Sequence, residues 1–425
     1  MPKVLILGAG LSGLSAGIYL SEAGVDVTIL DSSIISGGRS RSFFHKRLNC
    51  EIDNGQHLIM GCYSNTLDYI SKIKSTEELQ IFKTIDFTFV NKKGEKSRFK
   101  VPQKFYPLNV FYALFKFNLL SLTEKIQILK LFLKIKFKLK VSRNLTTKDW
   151  LHSENQSENS INSFWKVLND SILNTNIEES LAEVFLLTLK EIFLKGQKKI
   201  QTILPRTNLD KLLIKPAISF LLKNNTEINL GEKADEIVIE NNKIIKVITK
   251  KNIYQDFDYI ISAVPFTNLK KLLPEISKNE FKYNSIVTVY IWLKQNPFKE
   301  KFIALLNANF HWLFNHNDYI TVLKSDANDI SILDKNKIME ICISELEEFF
   351  SEFDKKYIEK FEVIKERKAT FAVTPNSKKI RNNINISFDN LFIAGDWTNT
   401  GLPGTIEGAI LSGKISALRI LNKLK

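Results

Sequence analysis

The chain has 425 residues, enough for two domains, and 44% of them are hydrophobic, enough for sizeable cores. Its formal net charge of +14 admits a nucleic-acid partner, an anionic membrane surface, or a compositional drift towards Lys, Asn and Ile. No nucleic-acid motif is present, no apolar run of about 18 residues marks a spanning helix, and Cys50, Cys62 and Cys342 lack metal-ligand spacing. These features exclude a nucleic-acid binder and a metal site, and they favour a reducing cytoplasm.

In chain order, Val4 to Leu7 is an unbroken apolar run, as a parallel strand buried on both faces requires. Gly8 permits a tight turn, Gly10 lets backbone approach a pyrophosphate, and Gly13 lets the next helix, about Ser12 to Ala23, pack close. The free N–H groups at that helix start favour phosphate. Gly24 closes the helix, Val25 to Leu30 is a second strand, and Asp31 at its end is placed to bind ribose hydroxyls. A secretory leader is the rival reading of this apolar start. It fails because only Lys3 supplies an n-region and no cleavage site follows.

Gly37-Gly38-Arg39 comes next: two glycines bring the loop near the cofactor, and Arg39 offers a guanidinium to pyrophosphate. The plainer reading is a glycine turn with a surface arginine. A strand-like Leu48 to Ile52 ends in Asp53-Asn54-Gly55-Gln56-His57. Gly55 and Gln56 are assigned to the cofactor, and His57 titrates near neutral pH. The alternative is a hydrogen-bonded turn that supports the cofactor and does no chemistry.

Short strands are expected at Phe87–Val90 and Ser97–Val101, then a helical, basic and aromatic stretch from Pro107 to Val141. From Phe105 onward it contains Phe105, Tyr106, Phe111, Tyr112, Phe115, Phe117, Phe132 and Phe137, interleaved with lysines, of which Lys130, Lys134 and Lys138 share a helical face. Such a face suits a membrane interface; core packing with snorkelling lysines is the competing reading. Further helices are expected over 144–200 and from Asn208 to Leu222. A hairpin follows over Glu236–Glu240 and Lys243–Thr249, with Val238 assigned to the cofactor-binding set. Asp258 to Pro265 reads as a buried parallel strand, Ile286–Leu293 as a strand and Lys337–Phe353 as a helix.

The last strand, Leu391–Ala394, runs into Gly395-Asp396, and Pro403 precedes a final helix from Gly404 to Leu424. Asp396 is placed for the ribityl chain or a phosphate, and Thr405 and Ile406 open a helix whose positive end points at a flavin. The first motif alone indicates a dinucleotide; the pair indicates FAD held by both ends of the chain, and a redox enzyme. The predicted fold is α/β: a Rossmann-type FAD-binding domain, discontinuous over 1–75, 203–265 and 385–425. An inserted α+β substrate domain is expected over 76–202 and 266–384.

The chain resembles the squalene-associated FAD-dependent desaturase family, the hydroxysqualene dehydroxylases, within the flavin amine oxidase and phytoene desaturase superfamily. The resemblance rests on Asp53-Asn-Gly-Gln-His57 with Leu58 and Gly61, Trp312-Leu-Phe314, and Lys368-Ala-Thr-Phe-Ala372. It extends to Gly395-Asp-Trp-Thr, Thr400-Gly-Leu-Pro and Ile406-Glu-Gly-Ala409. Asp31 departs from the Glu more common in such FAD proteins. The resemblance implies reductive removal of the hydroxyl of hydroxysqualene to give squalene, a hopanoid precursor. Such a reaction needs a dry isoprenoid tunnel, which the 30 Phe residues suit. It also needs a proton donor, for which His57 stands first and Glu407 second. It implies a polyisoprenoid substrate and a cytoplasmic enzyme resting on the inner face of the membrane. No second GxGxxG appears, so no NAD(P)H domain is expected and the electron donor stays open. An oxidative carotenoid desaturase is the main rival. An amine oxidase is disfavoured by Leu402-Pro403 and Thr405-Ile406, and a flavin-free prenyl-binding relative by Asp31, Gly38-Arg39 and Gly395-Asp396.

Overall fold

The computed structural model describes residues 1–137, 144–384 and 387–425. Five parallel strands, in the spatial order Glu227–Leu230, Asp26–Asp31, Lys3–Leu7, Tyr259–Ser262 and Leu391–Ile393, form the sheet that both glycine motifs leave. Lys3–Leu7 sits at its centre, buried from Val4 to Leu7, which explains its lack of alternation. The strands come from three separated stretches of chain. The first helix (Leu11–Glu22) and the last (Ile406–Lys423) pack side by side. They touch closely because Gly413 has no side chain: a Cβ there would lie 2.0 Å from the Ser12 carbonyl oxygen. Ser15 Oγ donates to the Ile410 carbonyl at 2.9 Å across the same contact.

A second, seven-stranded sheet runs in the order Ile358–Phe371, Tyr283–Leu293, Tyr319–Lys324, Trp312–Asn315, Phe302–Leu305, Asp86–Val90 and Lys96–Lys100. One face buries Val287, Val289, Ile291, Ile320 and Val322 against the helix Lys335–Phe349. The opposite face carries Phe87, Phe89, Phe302, Trp312 and Phe314, covered by the helices Leu108–Lys116, Leu122–Lys136, Lys166–Leu173 and Ala182–Phe193. A small sheet of Ile59–Met60, Thr202–Pro205 and Leu79–Phe82 crosses the expected segment boundaries at 75/76 and 202/203. The antiparallel hairpin closes on Asn241 and Asn242, both at positive φ (+48° and +61°), the geometry a two-residue hairpin turn needs.

Two expected helices are divided. The stretch 107–141 breaks at Phe117–Ser121, where Ser121 and Glu124 form a capping box that starts a second helix. The helix expected from Asn208 contains a π turn over Asp210–Ile214 before Lys215–Lys223. Pro216 explains it, because proline lacks an N–H and crowds the preceding turn.

Candidate functional site

Gly8, Gly10, Gly13, Gly37 and Gly38 build a cradle of bare backbone. Gly8 holds φ +110°, and a Cβ on Gly13 would lie 1.9 Å from the Gly8 carbonyl oxygen, so strand, turn and helix are locked. Gly10 caps the first helix with no side-chain hydrogen bond to its N–H groups, and a Cβ there would meet nothing within 4 Å. Gly37 N–H donates to the Ala9 carbonyl at 2.8 Å, which lays Gly38 beside Gly10. Open space, unclaimed N–H groups and a helix start fit a pyrophosphate. Asp31 accepts from Ala9 N–H at 2.6 Å and Ser33 N–H at 2.7 Å, so its carboxylate pins the turn and keeps lone pairs for ribose hydroxyls.

Residues from both ends of the chain meet beside this cradle. Arg39 donates through Nη2 to Asp396 Oδ1 at 2.5 Å and through Nη1 to the Ala369 carbonyl at 2.8 Å. Arg39 is therefore a paired arginine that joins the two cofactor motifs to the long strand of the second sheet. Gly395 N–H donates to Ser412 Oγ at 2.8 Å, and Asp396 Oδ2 lies 3.1 Å from where a Gly404 Cβ would stand. Thr405 caps the last helix by accepting from Gly408 N–H, and Ile406 opens it. These residues fit the ribityl and flavin end of FAD.

The Asp53–His57 turn faces the polar end of the second sheet. Gly55 holds φ +109° with its absent Cβ 3.4 Å from Thr288 Oγ1, a buried hydroxyl without a partner. Gln56 Oε1 meets His316 Nε2 at 3.0 Å and Thr321 Oγ1 at 3.2 Å. Asp53 accepts from Ser42 Oγ at 2.6 Å and Leu209 N–H at 2.9 Å, while burial pushes its carboxyl up. Val238 lies half-buried in its hairpin, paired with Lys246. The contacts to the Asp31 segment come instead from the turn that precedes that hairpin, where Gly231 and Glu232 N–H donate to the Ser33 and Asp31 carbonyls.

The surroundings of the two expected proton donors differ. Desolvation lowers His57 to about 4, and its shielded Nε2 has no partner, so the ring is neutral at pH 7 and is a poor acid. Glu407 accepts four hydrogen bonds, from Asn65 N and Nδ2 and from Thr66 N and Oγ1, at 2.7–3.0 Å. It ties the last helix to the start of the helix Ser64–Lys72, a structural task its four accepted bonds account for. Sequence reasoning passed over Thr288, His316 and Thr321, because alternation in a strand does not tell which face meets a distant turn. His316, one of only five histidines, carried the single usable signal.

From this polar end the sheet face becomes aromatic. Phe87 and Trp312 meet edge-on with centroids 5.0 Å apart, as do Phe89 and Phe117, and Phe99 continues the wall to Phe164 at 5.8 Å. A narrow apolar crevice lined by Phe99, Val110, Leu114, Phe132, Phe164 and Phe193 lies under the helices of 108–136. On their outer side Phe105, Leu108, Tyr112, Phe115, Leu122, Ile126, Leu133 and Phe137 are exposed, Phe105 by 81% and Phe137 by 76%. The inner side buries Phe117, Ile128, Leu131, Phe132 and Ile135, so core packing holds for that face, and the outer face is left exposed. Lys134 is bound to Glu154 at 2.6 Å, whereas Lys104, Lys116 and Lys130 are exposed; Lys138 lies outside the described residues.

A doubly glycine-built dinucleotide cradle facing a largely apolar sheet defines an FAD-dependent oxidoreductase. Residues 11–421 match the flavin containing amine oxidoreductase family, and the chain belongs to that family. It is similar to the hydroxysqualene dehydroxylase of Zymomonas mobilis, 27% identical over 97% of each chain. It is also similar to the 15-cis-phytoene desaturase of Narcissus pseudonarcissus, 24% identical over 99% of this chain and 79% of that one. An oxidoreductase from Methanosarcina mazei shares the fold, with a TM-score of 0.72 at 17% identity over 99% of this chain and 100% of that one.

Proposed function

We propose that the protein acts on a polyisoprenoid, removing the hydroxyl of hydroxysqualene by reduction to leave squalene. The observation that carries this reading is the continuous apolar wall from the Gly55–His57 turn, through Trp312 and Phe89, to the exposed helices of 108–136. A long hydrocarbon with one polar group matches such a surface, and the relatives named for hydroxysqualene and phytoene agree with it. Bound FAD in its reduced state supplies the electron pair. In the overall balance the carbon would gain a hydride and the alcohol oxygen a proton, leaving as water; the two hydrogens and two electrons equal those that FADH2 would give up in returning to FAD. The bare backbone of Gly10 and Gly38 and the carboxylate of Asp31 hold the dinucleotide end of the cofactor. Arg39, Asp396, Thr405 and Ile406 set its flavin end. Gly55, Gln56, Thr288 and His316 offer a cluster of polar groups at one end of the apolar wall, and they orient the alcohol. The aromatic side chains exclude water, which protects an allylic cation from capture.

The exposed face of 105–137 is proposed to rest on an anionic membrane, from which a hydrocarbon of this size reaches the crevice without crossing water. Among the described residues no helix is long and apolar enough to cross a membrane. The reading is tested by mixing anaerobically reduced protein with hydroxysqualene and weighing the lipid products. Squalene is expected. Desaturation of phytoene, with the alcohol untouched, would transfer the protein to the oxidative reading.

A further inference from the structure

We propose that Arg381 is a positioning residue of the FAD site: it clamps the 398–402 loop ahead of the last helix and leaves there a buried positive charge that favours the reduced cofactor over the oxidised one. Arg381 lies in the short helix Pro375–Asn382 and is 7% exposed. Its Nε donates to the Thr398 carbonyl at 3.0 Å, its Nη1 to the Leu402 carbonyl at 3.0 Å, and its Nη2 to Thr398 O and to Thr400 Oγ1. Its guanidinium carbon stands 5.0 Å over the Phe371 ring. Three backbone or hydroxyl groups of one loop are thus gathered by a single planar fork, a task lysine cannot repeat.

The loop it gathers is part of the site. It leads into Pro403 and Gly404, and Gly404 leaves no room for a Cβ between Asp396 Oδ2 at 3.1 Å and the Thr370 Cβ at 3.1 Å. Any slackening of the loop therefore reaches Asp396 and the Thr405 cap directly. The charge is unpaired in a way the rest of the site is not. Asp396 is neutralised by Arg39, and among the described residues no carboxylate bonds Arg381. Burial lowers its pKa to about 10, an effect the negative field of Asp396 partly offsets, so it stays charged at neutral pH. A desolvated cation without a partner is costly. Held behind the loop that leads into the flavin-facing helix start, it would act as a fixed source of positive potential on a cofactor that gains negative charge on reduction.

Arg381→Gln removes the charge and keeps one carbonyl bond; Arg381→Lys keeps the charge and loses the fork. Each variant is loaded with FAD, and two quantities are read: the midpoint potential by dye equilibration, and the FAD dissociation constant. The Gln variant is expected to lower the potential by about 30 mV, the equivalent of a tenfold loss of preference for reduced over oxidised FAD. The Lys variant is expected to hold the potential near that of the parent, while both variants release FAD more readily. An unchanged potential in the Gln variant, or an equal fall in the Lys variant, overturns the proposal and leaves Arg381 a latch of the loop. Should the Gln variant not accumulate, Arg381→Met, neutral and of similar length, carries the same two outcomes.

Discussion

In the half of the molecule that carries the two glycine motifs, backbone lies against backbone; in the half built on the seven-stranded sheet, ring lies against ring. Gly13 and Gly413 bring main chains to distances at which a single methyl would collide with a carbonyl oxygen. Phe87, Phe89, Phe117 and Trp312 keep main chains apart and fill the gap with edge-on aromatic contacts. The first arrangement fixes a ligand whose charged groups never vary. The second presents a smooth apolar surface, along which a hydrocarbon gains from burial and not from directed bonds. Rigid polar anchoring and tolerant apolar lining are separate physical problems, and the chain solves them with different residues.

The sharpest way to break that contrast is to add one methyl in two places. Gly413→Ala puts a Cβ 2.0 Å from the Ser12 carbonyl oxygen, so the first and last helices must part; a loss of about 3 kcal/mol is expected. Gly10→Ala meets no atom within 4 Å, so melting of the FAD-free protein should be unchanged while FAD retention falls. Denaturant melts of the FAD-free forms and flavin absorbance of the loaded forms read both. Equal melting of the two variants would mean that the backbone contact between the helices is not what holds this half together.

The two halves meet at the Gly55–His57 turn, where pH sharpens the comparison. His57 and His316 are each lowered to about 4 by desolvation, with Lys301 adding to the effect at His316. A ring that must stay neutral in the folded state binds fewer protons than in the unfolded chain. Its contribution is therefore complete above about pH 6.5 and fades as pH falls towards 4. Each ring should cost about 1 kcal/mol per pH unit in that window. Asp326, raised to about 6 by burial, acts in the opposite sense between 4 and 6 and offsets part of the loss. Melting temperature should drop between pH 7.5 and 5.0, and His316→Asn should shrink that drop. A drop of the same size in the variant would show that the junction is not its source.

The same contrast decides how much was legible in the sequence. The dinucleotide cradle was legible because glycine spacing, an apolar strand and a terminal acid each have one physical explanation, and they follow one another within 31 residues. The hairpin was legible for a similar reason: Asn241-Asn242 tolerates positive φ. The meeting of Arg39 with Asp396 was not, since nothing local to Gly38 says that residue 396 will stand 2.5 Å away. Nor was the task of Glu407, whose partners Asn65 and Thr66 lie about 340 positions earlier in the chain. An aromatic-rich composition told of a wall, but which rings bury and which face outward depends on how two helices divide at Phe117–Ser121.

That division carries the smallest expected effect and the most specific one. On the helix Leu122–Lys136, Leu122, Ile126, Lys130 and Leu133 follow one another at three- and four-residue steps and so share one outward stripe, extended by Phe137 at the helix end. Phe105, Leu108 and Phe115 stand exposed on the neighbouring helix and the loop before it, with Lys104 and Lys116 among them. Apolar side chains ringed by lysines match an anionic bilayer surface, where each lysine close to the surface gains about 1 kcal/mol at low salt. A shallow insertion of the apolar stripe adds to it. Lys116→Glu with Lys130→Glu should weaken co-sedimentation with vesicles of phosphatidylglycerol, and the loss should shrink as salt is raised. Because these residues touch nothing in the core, flavin content and melting temperature should stay where they were. Lys134→Glu makes the internal control: it breaks the bond to Glu154, so it should lower stability slightly as well as binding. Undiminished vesicle binding by the Lys116→Glu, Lys130→Glu protein at low salt would remove the membrane from this face and leave the exposed rings to another partner.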